Sequence, residues 1–342
     1  MLAELSYWQI TSLRVAGGLG GVLLVAGTLV YLHLFKMVSF MQSRLGPMEA
    51  GPFGSLQLLA EVGKHLQKED IFPRKADKFV FGAAPFVILA STFLLVAVVP
   101  AGPDVWFVNV DTGIYLAMAV SSVSVIGILM AGWGSANKYS MMGGLRATGQ
   151  LIAYELPLIL AVVGVVIQAG TMNMQGIVAA QANGEIFGWG GIGNPYILTQ
   201  GVAFFVFMIA MQAELTQAPF DMPIAESELV SGYLTEYSGM RFLLFFIGEF
   251  ATAGVFASIA AVLFLGGWWA PIPGLAFDDN VWNLLGPLLL IGKIVILTFI
   301  VFWVRFTFPR FREDQLQRIA WKFLIPIALA NIVVTALFKV WF

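Results

Sequence analysis

Eight long apolar runs dominate the chain, at about 15–38, 78–100, 113–134, 147–169, 197–215, 239–266, 284–304 and 319–341. Each is close to the roughly 20 residues that a helix needs to cross a 30 Å hydrocarbon core. The pattern predicts an all-α polytopic membrane protein with eight transmembrane helices, forming one integral membrane domain over residues 1–342. The longest interruptions fall at about 39–77, 170–196 and 216–238. None is long enough for a soluble domain.

Segment 40–70 breaks the pattern in a different way. Gly46-Pro47 and Gly51-Pro52 mark turns. From Gly54 to Lys68, Leu56, Leu58, Leu59, Ala60, Val62 and Leu66 alternate with Glu61, Lys64, Gln67 and Lys68. That periodicity predicts a short amphipathic helix lying at the membrane surface, with a plain solvated loop as the competing reading.

Charge assigns the sides. Loops after the first, third, fifth and seventh runs, with their edges, hold Arg44, Lys64, Lys68, Arg74, Lys75, Lys138, Arg146, Arg241, Arg305, Arg310, Arg312 and Arg318. Loops 101–112, 170–196 and 267–283 hold no Lys or Arg, but carry Asp104, Asp111, Glu185, Asp278 and Asp279. By the positive-inside rule the first group faces the cytoplasm, and both termini lie on the outer side. One cytoplasmic stretch runs against this trend. Between Ala218 and Met240 there are four acids, Asp221, Glu226, Glu228 and Glu236, and no Lys or Arg.

Composition supports a membrane protein and excludes some functions. The chain is 59% hydrophobic and 11% charged, with a mean hydropathy of +0.86. A net charge of −2 leaves no nucleic-acid footprint. The absence of Cys excludes cysteine-ligated clusters and thiol catalysis in this chain. His33 and His65 are too few for a metal site of their own. The N-terminus lacks the basic region of a signal peptide. GGLGG (Gly17–Gly21) lies inside an apolar run with no strand before it, so it reads as helix packing rather than nucleotide binding.

Ionisable residues inside apolar runs are costly and point to function. Glu155 follows Arg146 by nine residues, roughly 13 Å along a helix. Pro157 loosens that helix beside it. Glu249 lies ten residues into the sixth run, Lys293 near the middle of the seventh, and Glu214 closes the fifth. A paired Glu249 and Lys293 would staple two helices. The whole set, near an acidic loop, predicts a wet polar path on which protons are loaded and released.

Four stretches stand together: QSRLGPMEAGPFGSLQ (42–57), GWGSANKYSMMGGLRATGQLIAYELP (132–157), AELTQAPFDMPIAESELVSGYLTEYSGMRF (213–242) and PRFREDQLQRIAWKFLIP (309–326). With them the chain closely resembles, along essentially its whole length, the H-subunit family of proton-pumping NADH:quinone oxidoreductase, respiratory complex I. The resemblance implies a multi-pass protein of the inner (cytoplasmic) membrane. Loops 39–77 and 216–238 would lie at the junction with the peripheral arm. The chain would form the membrane end of a tunnel for quinone, the substrate, and would couple quinone reduction to proton translocation. It would hold no covalently bound cofactor, with flavin and iron–sulfur clusters in partner subunits. Its partners would be the quinone-site subunits, antiporter-like and small membrane-arm subunits, and the lipid bilayer. Arg44, Gly46, Pro47, Gln57, Asp221, Glu226, Glu228 and Glu236 match tunnel and junction positions. Glu155, Glu214, Glu228, Glu249 and Lys293 match the proton path.

The chain departs from the family at LFKM (Leu34–Met37), where relatives show a Glu-Arg pair, and at Gln217, where many have Arg. It also departs at Ile224, where many have Glu, and at Ser121-Ser122, where many have a carboxylate. These changes suggest a divergent branch, and the resemblance implies that branches of this family accept electrons from donors other than NADH, including ferredoxin or a deazaflavin. If Asp221 caps a short helix, Ile224 cannot complete a capping box, so Asp221 caps alone or Ile224 packs against a partner. Two other functions compete. One is the membrane component of an energy-converting hydrogenase, which predicts nickel–iron subunits. The other is an independent transporter, which predicts internal repeats that the chain does not show.

Overall fold

The computed structural model describes residues 7–184, 193–270 and 279–341. Glu185 and Asp278 lie outside the described residues. All regular structure among the described residues is helical. The helices are α1 (Tyr7–Leu29), α2 (Gln57–Gln67), α3 (Lys78–Val98), α4 (Gly113–Gly134), α5 (Lys138–Ala169), α6 (Met174–Ala182), α7 (Gly201–Glu214), α8 (Gly239–Phe264), α9 (Asp279–Thr307), α10 (Glu313–Ile319) and α11 (Ile325–Trp341). α1 continues through a π-helical stretch, Val30–Met37, into Val38–Met41, and a second π stretch, Ala320–Leu324, joins α10 to α11.

Among the described residues, six helical stretches are long and apolar enough to cross a membrane: α3, α4, α5, α8, α9 from Val281, and Glu313–Trp341. α7 is shorter, at 14 residues, or roughly 21 Å. A single helix over 197–215 is therefore not what forms. The chain breaks at Gln200, whose buried amide donates to Thr335 Oγ1 (2.8 Å) and accepts from Asn331 Nδ2 (2.8 Å). α5 starts nine residues before the expected 147. The Asn137 side chain accepts the Tyr139 N–H and caps it there, so Arg146 sits on a helix rather than in a loop.

The surface helix appears as α2, preceded by a turn at Pro52–Gly54. No residue of α2 is fully buried. Leu58 packs on a small core of Ala26, Val30, Phe250, Ala251 and Phe302, while Leu59 and Leu66 stay exposed. The His65 ring stacks on Phe242 of α8.

Contacts sort the loops into two groups. At one end, Asp77 N–H donates to Gly134 O, Arg241 pairs with Asp70, Arg146 with Glu228, and Arg310 with Asp221. At the other, Gln175 donates to Gly102 O, Asn283 to Asp104, and Lys339 to Ile167 O. The basic residues of the first group, Arg146, Arg241 and Arg310, are among those that the charge pattern assigned to one side. The main core lies between, along α3 to α8, α9 and the last helix.

Candidate functional site

The 42–57 segment is a turn held from α1. Gly46 has φ +71, and a Cβ there would lie 2.4 Å from the Phe35 carbonyl oxygen, so no other residue fits. Lys36, in the LFKM departure, donates to Pro47 O (2.9 Å) and contacts Met48 Sδ (3.4 Å). Arg44 is exposed. Gln57 opens α2 and its amide donates to Glu61 (3.4 Å).

Loop 216–238 is clamped at its base. Gln150 of α5, fully buried, donates from Nε2 to both Ala213 O and Phe220 O at 2.8 Å. Gln212 donates to Ala218 O (2.8 Å), and Phe311 N–H to Pro219 O (3.0 Å). Tyr154 donates to Leu316 O (2.9 Å), and its ring meets Phe220 edge-on. At the far end Tyr237 stacks on Phe81, 4.1 Å between centroids, and donates to Phe81 O. Burial pushes the Tyr233 and Tyr237 phenols up, so both remain neutral.

The four acids of this loop have separate surroundings. Asp221 pairs with Arg310 (2.9 Å) and caps no helix, which corrects the capping expectation. The short helix Glu226–Leu229 starts after Ala225, and Ile224 packs against the Phe81–Tyr237 core. Burial raises the Asp221 carboxyl above its ordinary value, against the opposing pull of Arg310 and, more weakly, Arg305. Glu226 is exposed. Glu228 pairs with Arg146 (2.5 Å), and Glu236 accepts from Asn137 Nδ2 (2.5 Å). This set is spread over the loop and does not converge on one point.

Beneath the loop lie the carboxylates. Glu155 accepts from the Ser122 hydroxyl, so the serine that replaces an acid still joins the set. Glu214 and Glu249 line one cavity of about 50 Å³ with Ser124, Thr216, Tyr233 and Thr252. At about 10–15 Å³ per water, it has room for a few. Glu249 accepts from Gln217 Nε2, and Gln217 Oε1 accepts from Arg305 Nη1. Arg305 and Glu249 themselves are 3.8 Å apart. Lys293 joins none of these. Its ammonium donates to Leu265 O, Gly267 O and Trp269 O (2.5–2.7 Å), just past α8. The competing reading, a Glu249–Lys293 pair that staples two helices, does not hold, because Lys293 is bonded to these carbonyls instead. Sequence reasoning missed Ser122, Gln150, Gln217 and Arg305 as partners of the acids and loop.

The fold and site define a class: a polytopic helical membrane protein with clamped loops at one end over partly buried carboxylates. Comparison with known proteins names the family. The NADH dehydrogenase family model matches residues 15–336, and the chain belongs to that family. It is 45% identical over 345 residues to the H subunit of NADH-quinone oxidoreductase from Bacillus thuringiensis subsp. konkukian (strain 97-27), covering 99% of this chain and 98% of that protein. The proteins of the same name in Bacillus cereus (strain AH187) and Bacillus anthracis (strain A0248) are 44% identical with the same coverage.

Proposed function

We propose that this chain is the membrane component of an NADH:quinone oxidoreductase that couples quinone reduction to proton translocation. The observation that carries the reading is the cavity shared by Glu214 and Glu249 directly under loop 216–238. Glu155, hydrogen-bonded to Ser122, extends the acids into α5. Acids with polar partners and room for water can pass protons. Glu228 would connect the line to the surface. We assign Lys293 to closing the end of α8.

In this reading residues 1–342 form one integral domain of eight spans, with both termini on the outer side of the inner membrane. Loops 39–77 and 216–238 face the cytoplasm and dock the quinone-site subunits of the peripheral arm. Arg44, Gly46, Pro47 and Gln57 border the quinone tunnel beside Asp221, Glu226, Glu228 and Glu236. Flavin and iron–sulfur clusters reside in partner subunits, and antiporter-like subunits continue the membrane arm. The names of the matched relatives favour quinone over a hydrogenase-type partner.

The test uses inside-out membrane vesicles with the assembled complex. Glu155→Gln and Glu249→Gln should keep quinone reduction measurable while lowering protons moved per electron. Full stoichiometry in both variants, with the complex shown intact, would overturn the acid path.

A further inference from the structure

Gln217 occupies an unusual place. It starts loop 216–238, while its two hydrogen-bond partners belong to α8 (Glu249) and α9 (Arg305). Its backbone is fixed independently, because its carbonyl accepts the Phe220 N–H (2.8 Å) and its N–H reaches Gln212 O (3.4 Å). The residue is buried, at 3% exposure. The direct Arg305–Glu249 separation of 3.8 Å is too long for a hydrogen bond, so the close connection between cation and carboxylate runs through the amide. An amide suits that position because its N–H donates to the carboxylate while its oxygen accepts from the guanidinium.

We propose that Gln217 is a positioning residue for proton translocation: its amide links Arg305 to Glu249, so that the loop itself holds the cation's grip on the carboxylate. This rests on the acid-path reading above. The other ionisable groups facing this cluster are Glu214, which shares the cavity with Glu249, and Asp221, which lies four residues further along the loop and feels Arg305 more weakly than Arg310. Displacing the loop start withdraws the amide. Glu249 is then left with a cation at loose range in a partly buried site, where a carboxylate is poorly compensated.

The experiment measures protons moved per electron in inside-out vesicles containing the intact complex. Gln217→Met keeps the side-chain volume and removes both hydrogen bonds. Arg305→Gln removes the cation. Each should bring the ratio below about half of the parent value, and the double variant should be no worse than either alone, because one connected unit is lost once. Exchanging the two groups, Gln217→Arg with Arg305→Gln, should restore the ratio. A merely space-filling role predicts the reverse order, with Met tolerated and Arg not.

Full pumping by Gln217→Met, with pumping lost in Glu249→Gln, overturns the relay and leaves the acid path standing. Full pumping by Glu249→Gln overturns the relay, and full pumping by Glu155→Gln as well overturns the acid path. If Gln217→Met does not assemble, Arg305→Gln against the exchange pair decides the same question, and failure of the exchange to restore pumping refutes the relay.

Discussion

Replacing Gln150 with Leu should loosen the base of loop 216–238 by an amount that can be worked out. Its buried amide spans the turn from Ala213 O to Phe220 O, with both bonds at 2.8 Å. The Ala213 carbonyl also accepts the Thr216 N–H (3.1 Å) and the Leu215 N–H, so there the variant loses one bond and leaves the carbonyl satisfied. The Phe220 carbonyl has no other partner among the described residues and is left unsatisfied. One lost bond costs about 1 kcal/mol and an orphaned buried carbonyl about 1–3 kcal/mol, which together make about 2–4 kcal/mol. At about 1.4 kcal/mol per factor of ten, local opening becomes at least about thirty-fold more frequent. Hydrogen–deuterium exchange by mass spectrometry on the intact complex reads this in peptides covering 213–221. Peptides from α6, on the opposite group of loops, serve as the control. Exchange at 213–221 within about three-fold of the parent protein would show that the Gln150 amide does not hold the turn.

Gly232→Ala should prevent the loop from closing, because a Cβ would stand 1.8 Å from Pro223 O in a backbone at φ +54; the yield of assembled complex on native gels checks this. Asp221 gives a pH signature. Its carboxyl is raised from 3.8 by burial, so the folded loop binds more protons, its docking is fullest below that value, and it weakens as pH rises through the raised one. Asp221→Asn should flatten that dependence in exchange measured at 219–222, and an unchanged slope would refute it. Lys293→Met removes three charge-assisted bonds to Leu265, Gly267 and Trp269 carbonyls. It should raise exchange at 265–269 while protons per electron stay unchanged. A fall in that ratio without local opening would put Lys293 back on the proton route.

Helix positions were legible because lipid demands length and apolarity, and these are one-dimensional properties of the chain. α4 falls on 113–134, and α3 and α8 match within a few residues. The misses have long-range causes. The apolar run begins only at 147, yet the Asn137 cap starts α5 at Lys138. The break at Gln200 depends on Asn331 and Thr335, more than a hundred residues away. The same division holds at the site. Buried acids announce themselves because charges in apolar runs are rare, but their partners do not. Depth along a helix brought Glu249 and Lys293 to similar levels without saying which way either side chain turns. Gln217, notable in the sequence only as the loss of an Arg, bonds the carboxylate and the cation at once.

The energetics also rank what holds the loop. The Arg146–Glu228 pair has side-chain exposures of 24% and 54%, so it contributes about 0–1 kcal/mol and is screened by salt. The Gln150 clamp is worth about 2–4 kcal/mol and is unscreened. Tyr237, stacked on Phe81 and bonded to its carbonyl, secures the other end. Amides and aromatic packing therefore set the docked position, and the ion pairs trim it. Segment 213–221 then carries three groups at fixed spacing on one clamped stretch of chain: Glu214 on the cavity, Gln217 between Glu249 and Arg305, and Asp221 on Arg310. Arg305 sits in the last turn of α9 and Arg310 in the short stretch that follows it, whose Phe311 is bonded to Pro219. A partner that shifted the exposed face of the loop by an ångström or two would therefore move all three contacts together, because none of them is free to relax without the segment that bears it.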